Sequence, residues 1–165
     1  MGAAHKLPPL SGATVLLRGD FRAGVPQNLA DAVALLAREG ARVAIVAALG
    51  EPRSEFDPTL SLSQFRGTLQ NMSGVPVTFV HGSVGPLAEA RLAQTPFGAA
   101  ALLENIRFHP LAHRDSRAFA LRLSCLADYY ADCGAAPDKP LAWHGAIETL
   151  LPAPPVSLPE TCKGH

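Results

Sequence analysis

The sequence has no surplus of either charge sign: fourteen Lys and Arg stand against fourteen Asp and Glu in 165 residues. Without a whole-chain field the protein is not drawn bodily onto nucleic acid or an acidic membrane surface, so any anion site has to be local. Long apolar runs are lacking too. The longest uncharged stretches, Val43 to Gly50 and Phe97 to Leu103, fall far short of the roughly 20 residues that span a bilayer. They read as buried strands, and no membrane partner is expected. Cysteine is scarce: Cys125, Cys133 and Cys162 show no C-x-x-C spacing and leave an odd thiol if two of them pair, which suits a reducing cytoplasm. Met1 to Lys6 contain no hydrophobic signal core, and Lys6 stands where a myristoylation signal needs Ser or Thr, so export is not expected.

What is present is a globular composition, 48% apolar and 17% charged, well away from intrinsic disorder. A chain this long can bury roughly 68–70% of its unfolded surface, enough for a self-sufficient core. Thr14 to Leu17 form a short apolar strand that runs into the polar cluster Arg18-Gly19-Asp20. From Asn28 the spacing turns helical, with Leu29, Ala32, Val33 and Leu36 on one face, Asn28 as the cap and Gly40 as the stop. Val43 to Ala47 are apolar on consecutive residues, the pattern of a strand covered on both faces. The cycle repeats: a helix through Leu62, Phe65, Leu69 and Met72 up to Gly74, a strand at Val75 to Val80, and a short helix opened by Pro86. A strand at Ala99 to Leu103 follows, then a helix through Phe119, Leu123 and Leu126 capped by Ser116, and a strand from Tyr129. Such alternation predicts right-handed crossovers and a three-layer α/β/α Rossmann-like domain on a parallel sheet, spanning residues 1–134. Residues 135–165 read as an irregular Pro-rich tail with one short helix between Trp143 and Leu151, expected to be poorly ordered. Ligands of parallel sheets sit at the carboxyl ends of the strands, which makes the loops after each strand the informative segments.

Those loops carry a resemblance. Val15-Leu16-Leu17-Arg18-Gly19-Asp20-Phe21-Arg22 is similar to a strand ending in V-D-F-N, and Gly40-Ala41-Arg42-Val43 leading to Ala48-Leu49-Gly50-Glu51-Pro52 to G-A-K-V followed by H-L-G-R-P. Val84-Gly85-Pro86 matches a V-G-P turn, and Leu103-Glu104-Asn105-Ile106-Arg107-Phe108-His109-Pro110 is nearly L-E-N-L-R-F-H-P. Phe119 to Tyr130 parallels F-A-K-K-L-A-S-L-A-D-V-Y. In this order across residues 14–131, the segments resemble the amino-terminal half of phosphoglycerate kinase. The resemblance implies a domain that binds 3-phosphoglycerate, while magnesium and ATP or ADP are held by a carboxyl-terminal domain that this sequence does not contain. It implies no cofactor in this chain, and the sequence has no G-x-x-x-x-G-K-[ST] phosphate loop.

A carboxylate and a phosphate held together require Arg and His around them. Against the family pattern, Asp20 and Arg107 are kept. Arg22 replaces an Asn, Gln27 an Arg, Ala48 a His, Glu51 an Arg and Pro140 an Arg. Glu51 matters most, because an anion in place of a phosphate-facing cation removes attraction and adds repulsion, and losing one buried charge partner commonly costs about 2–5 kcal/mol of binding. Arg22 and Arg53 could compensate from neighbouring loops. The expected substrate-binding residues are therefore Asp20, Arg22 and Arg107, with no catalytic residue and no metal ligand. The expected partners are 3-phosphoglycerate or another small anion, weakly held, and a separate chain supplying the nucleotide domain; nucleic acid is not among them.

Each residue also has a plainer reading. Arg107 could brace its loop through a carboxylate such as Glu104, and Asp20 could simply form a turn. His109 and His113 lie four apart, but Pro110 stands between them and no third ligand is evident, so both read as loop histidines. Cys133 near Asp132 and His144 lacks an oxyanion-forming loop and reads as a free thiol. Trp143 reads as packing for the tail helix. The sequence thus predicts an inactive substrate-domain homologue, with a non-catalytic binding module or a decayed reading frame as alternatives.

Overall fold

A computed structural model describes residues 6–52, 55–134 and 142–164. Five strands, β1 (Thr14–Arg18), β2 (Arg42–Val46), β3 (Val77–Val80), β4 (Ala100–Leu103) and β5 (Tyr129–Asp132), form one sheet in the order β3-β4-β2-β1-β5. Every pairing is parallel. In register, Val15 faces Val43 and Tyr129, and Arg18 faces Val46 and Asp132.

The period of two in a strand divides the core cleanly. Val15, Leu17, Val43 and Ile45 point to the face covered by α1 (Gln27–Arg38) and α2 (Arg66–Ser73). Leu16, Ala44, Val46 and Tyr130 point to the opposite face, covered by α3 (Pro86–Ala93), α5 (Ser116–Ser124) and α6 (Ala142–Leu150), with α4 (Leu111–Arg114) as a single turn leading into α5. This is the three-layer parallel architecture the alternating pattern predicts. No helix among the described residues is long and apolar enough to cross a membrane.

Local chemistry corrects some of the expected boundaries. Asn28 does not cap α1. Pro26 occupies that position, and the Asn28 amide instead donates to the Cys133 carbonyl at 2.6 Å, tying the helix start to the end of β5. Gly40 follows α1 at φ 84°, where an added Cβ would meet the Ser11 Cα at 3.2 Å. Both the backbone conformation and the space therefore call for glycine. Asp115, not Ser116, caps α5, its carboxylate accepting from the Ala118 N–H at 3.0 Å.

The larger correction is the carboxyl-terminal segment, which packs. Trp143, Ile147 and Leu151 join the α5 face, while Val156, Leu158 and Cys162 are buried beside α1. The Val156 N–H donates to the Tyr130 carbonyl at 2.7 Å, so the chain lies along the exposed edge of β5. Repeated prolines prevent regular structure here, yet an unpaired edge strand and uncovered apolar helix faces give the segment partners that no local pattern signals. The linker over residues 135–141 lies outside the described residues.

Candidate functional site

The carboxyl edge of the sheet is formed by the loops after the strands. After β1, the Gly19 N–H donates to the Val46 carbonyl at 3.0 Å. Phe21 is buried and stacks on Phe65 with ring centroids 4.8 Å apart. That anchor turns Asp20 and Arg22 outward together. The Asp20 carboxylate accepts from the Arg22 N–H at 3.0 Å, from Nε at 3.0 Å and from Nη2 at 2.7 Å. Burial alone would raise the Asp20 carboxyl, but the hydrogen bonds from Arg22 and the charges of Arg22 and Arg18 outweigh it and hold it below the usual range.

The loops after β2 and β4 are joined by Asn105, which is fully buried. Its Oδ1 accepts from the Leu49 N–H at 3.2 Å and the Arg107 N–H at 3.1 Å, and its Nδ2 donates to the carbonyls of Leu49 at 2.7 Å and Leu60 at 3.0 Å. Gly50 sits at φ 65°, and an added Cβ would lie 2.6 Å from the Leu60 Cδ2. This brings the Gly50 carbonyl and Glu51 under Arg107. Arg107 Nη1 donates to the Gly50 carbonyl at 2.7 Å and to Glu51 Oε1 at 2.5 Å. Arg107 thus contacts the β2 loop through Glu51 and the Gly50 carbonyl, not through Glu104. Glu104 turns inward instead: buried, it accepts from Ser61 Oγ at 2.7 Å, the Leu62 N–H at 2.9 Å and the Asn105 N–H at 2.8 Å.

Sequence reasoning passed over Arg18. The last residue of β1, it has a side chain only 8% exposed, and its Nε is 2.9 Å from both oxygens of Asp132. Gly134 lies against the guanidinium so closely that a Cβ there would approach Cζ to 2.7 Å. Only the register, which sets Arg18 opposite Asp132 across 114 residues, discloses the pair.

Among the described residues, three guanidiniums stand along this edge, and each meets a carboxylate of the same chain: Arg18 with Asp132, Arg22 with Asp20, Arg107 with Glu51. Asp20 and Arg22 are brought together on the β1 loop, whereas Arg107 belongs to the β2 and β4 loops. Gln27, at the start of α1, donates to Asp31 at 2.9 Å. Arg53 and Pro140 lie outside the described residues. Cys133 is buried, its thiol 3.2 Å from the Arg18 carbonyl, and burial together with the Asp132 charge pushes it up to about 12, which makes it inert as a nucleophile. His109 Nδ1 accepts from the Leu111 N–H at 3.2 Å, and His113 Nε2 lies 2.9 Å from the Arg107 carbonyl. These two rings serve separate loop contacts. Among the described residues, no group of three or more His, Cys, Asp or Glu side chains is placed to hold a metal ion.

Comparison with known proteins gives the geometry a context. The family profile described as Phosphoglycerate kinase matches residues 9–133. A phosphoglycerate kinase of Rhizorhabdus wittichii is 35% identical over 146 residues, covering 88% of this chain and 36% of that protein. One from Streptomyces griseus is 37% identical over 130 residues, covering 76% of this chain and 31% of that protein. The chain spans about a third of the length of the curated relatives it matches. Among solved structures, phosphoglycerate kinase from Coxiella burnetii superposes with a TM-score of 0.69 at 18% identity, over 87% of this chain and 38% of that one. The enzyme from Pyrococcus horikoshii gives 0.65 at 20% identity, over 76% and 35%. At such identities these two likenesses concern the fold alone.

Proposed function

The chain belongs to the phosphoglycerate kinase family, and on that premise we propose that it is a substrate-domain homologue whose anion basin is closed by its own carboxylates. By itself the 165-residue polypeptide then holds 3-phosphoglycerate poorly and transfers no phosphoryl group to or from a nucleotide. The observation that carries this reading is the Arg107–Glu51 contact. The retained cation of the E-N-x-R-F block faces an acid where the family pattern has a second cation. An incoming phosphate or carboxylate would have to displace Glu51 and then remain beside its charge.

Phosphoryl transfer depends on holding donor and acceptor in line while cations neutralise the equatorial oxygens. In this reading the edge supplies neither part. The three arginines described along it, Arg18, Arg22 and Arg107, pair with carboxylates of the same chain. Those same carboxylates, committed to guanidiniums, do not suit a magnesium–nucleotide complex, and no step of the reaction is assigned to such a complex in this chain. A nucleotide domain, if one acts with this scaffold, comes from elsewhere than residues 1–165.

Calorimetric titration of the purified chain with 3-phosphoglycerate tests the proposal, alongside a coupled assay for ATP formation from 1,3-bisphosphoglycerate and ADP. The expected outcome is no saturable heat at submillimolar ligand and no turnover. Tight binding abolished in Arg107→Ala, or appreciable turnover by the chain alone, would overturn it. Turnover that arises only on adding a separately produced nucleotide domain would show that the basin is open after all and that the missing half acts from a second chain.

A further inference from the structure

The β3 and β4 side of the carboxyl edge contains a cavity of about 350 Å³ that lies apart from all three Arg–carboxylate pairs. The turn at Ile106–Phe108 separates the two regions: it sends Arg107 toward Gly50 and Glu51, and it places Phe108 in the cavity wall. We propose that this cavity is a binding site for a small uncharged aromatic molecule of one or two rings that carries a hydrogen-bonding ring atom.

Its walls select the aromatic character. Phe56, 67% exposed, meets Phe108 edge to face with centroids 5.4 Å apart, and Pro110 adds a third apolar surface. Rings inserted beside such side chains gain from offset or edge-to-face contact. The polar groups select a hydrogen-bonding atom. Ser83 is only 4% exposed and lines the cavity, and its hydroxyl makes no hydrogen bond among the described residues. A cavity-facing hydroxyl with no hydrogen-bond partner among the described residues can bond a ligand atom directly. His109 uses Nδ1 to accept from the Leu111 N–H, which puts its proton on Nε2 as a donor. Burial and the charge of Arg122 lower this imidazole's pKa, favouring the neutral ring.

The floor selects against charge. Glu104 contributes a buried carboxylate whose oxygens are occupied by Ser61, Leu62 and Asn105; among the described residues no Lys or Arg lines the cavity, and His81 joins His109 as a second lining imidazole. An anion would meet the Glu104 carboxylate there with no described Lys or Arg to offset it. Cavities of this volume, mostly apolar with a few convergent polar atoms, are the usual form of small-ligand sites. The proposal is independent of whether the arginine basin is closed.

The test is a two-dimensional amide NMR titration of the whole chain with benzimidazole, and separately with indole-3-carboxylate as an anionic ring of similar size. Benzimidazole is expected to produce saturable shifts at Gly82, Ser83, Phe108 and His109, and the carboxylate none. Ser83→Ala should weaken binding roughly two- to tenfold, the range of one hydrogen bond. Phe56→Ala removes an exposed ring, leaves the fold intact and should weaken binding as well. The proposal fails if benzimidazole gives no saturable shift up to about 10 mM, a generous ceiling for a fragment-sized ligand. It fails equally if the carboxylate binds as well, or if folded Ser83→Ala and Phe56→Ala both bind like the parent. Anion binding in the arginine basin would instead move the amides of Gly50 and Arg107, so its appearance is distinguishable from any result here.

Discussion

Replacing Glu51 with Gln removes one negative charge while leaving the shape of its loop and the Arg107 bond to the Gly50 carbonyl in place. In the parent, Glu51 Oε1 lies 2.5 Å from Arg107 Nη1, and the Glu51 side chain is 85% exposed. High exposure means the interaction is felt through water-like dielectric, where charges about 4 Å apart interact by about 1 kcal/mol. A dianionic phosphate docked on Arg107 would meet about twice that repulsion, reduced to about 1 kcal/mol by salt at a Debye length of about 8 Å. Displacing the existing exposed ion pair adds about 0.5 kcal/mol. Glu51→Gln should therefore bind 3-phosphoglycerate about tenfold more tightly than the parent, and Glu51→Arg more tightly still. Calorimetry at low and physiological ionic strength is the assay, and the gain should shrink as salt rises. Two results would refute the reasoning: an unchanged affinity in Glu51→Gln, or a gain that survives Arg107→Ala in the same chain.

Removing the Glu104 carboxylate orphans the buried donors of Ser61, Leu62 and Asn105, so Glu104→Ala should lose about 3 kcal/mol of stability by urea unfolding; a loss below about 1 kcal/mol would contradict that network. Asp132→Ala takes away the carboxylate that Arg18, 8% exposed, pairs with, and a loss of about 3 kcal/mol is expected, read as an earlier denaturant midpoint with an unchanged slope. The Asp20 carboxyl is held below its ordinary value of 3.8 in the folded chain, so the unfolded chain takes up its proton first as pH falls. Its stabilising contribution is complete above about pH 4 and is lost on further acidification. Asp20→Asn should flatten the acid limb of thermal stability below that point, and a parallel limb in the variant would rule the group out.

Much of the scaffold was legible because burial on both faces of a parallel sheet writes itself into consecutive apolar residues, as at Val43 to Val46, and because helices between strands repeat at the α period. The E-N-x-R-F block marked the loop after β4 as the place to look. Its internal division was hidden: Glu104 and Arg107, three positions apart, look like natural partners, yet the strand end aims Glu104 inward and the following turn aims Arg107 toward the β2 loop. Prolines suppress periodicity from Pro152 to His165, so the pattern predicts a poorly ordered tail, whereas Val156 and Leu158 find burial on surfaces supplied by β5 and α1.

The sequence by itself determined the order of strands and helices, the layers they form and the family they belong to, because those follow from local spacing and short motifs. Which charge meets which was decided only by the tertiary structure. The pairs Arg18–Asp132 and Arg107–Glu51 join residues 114 and 56 apart, and contact at such separation depends on sheet register and loop direction, which no local pattern encodes.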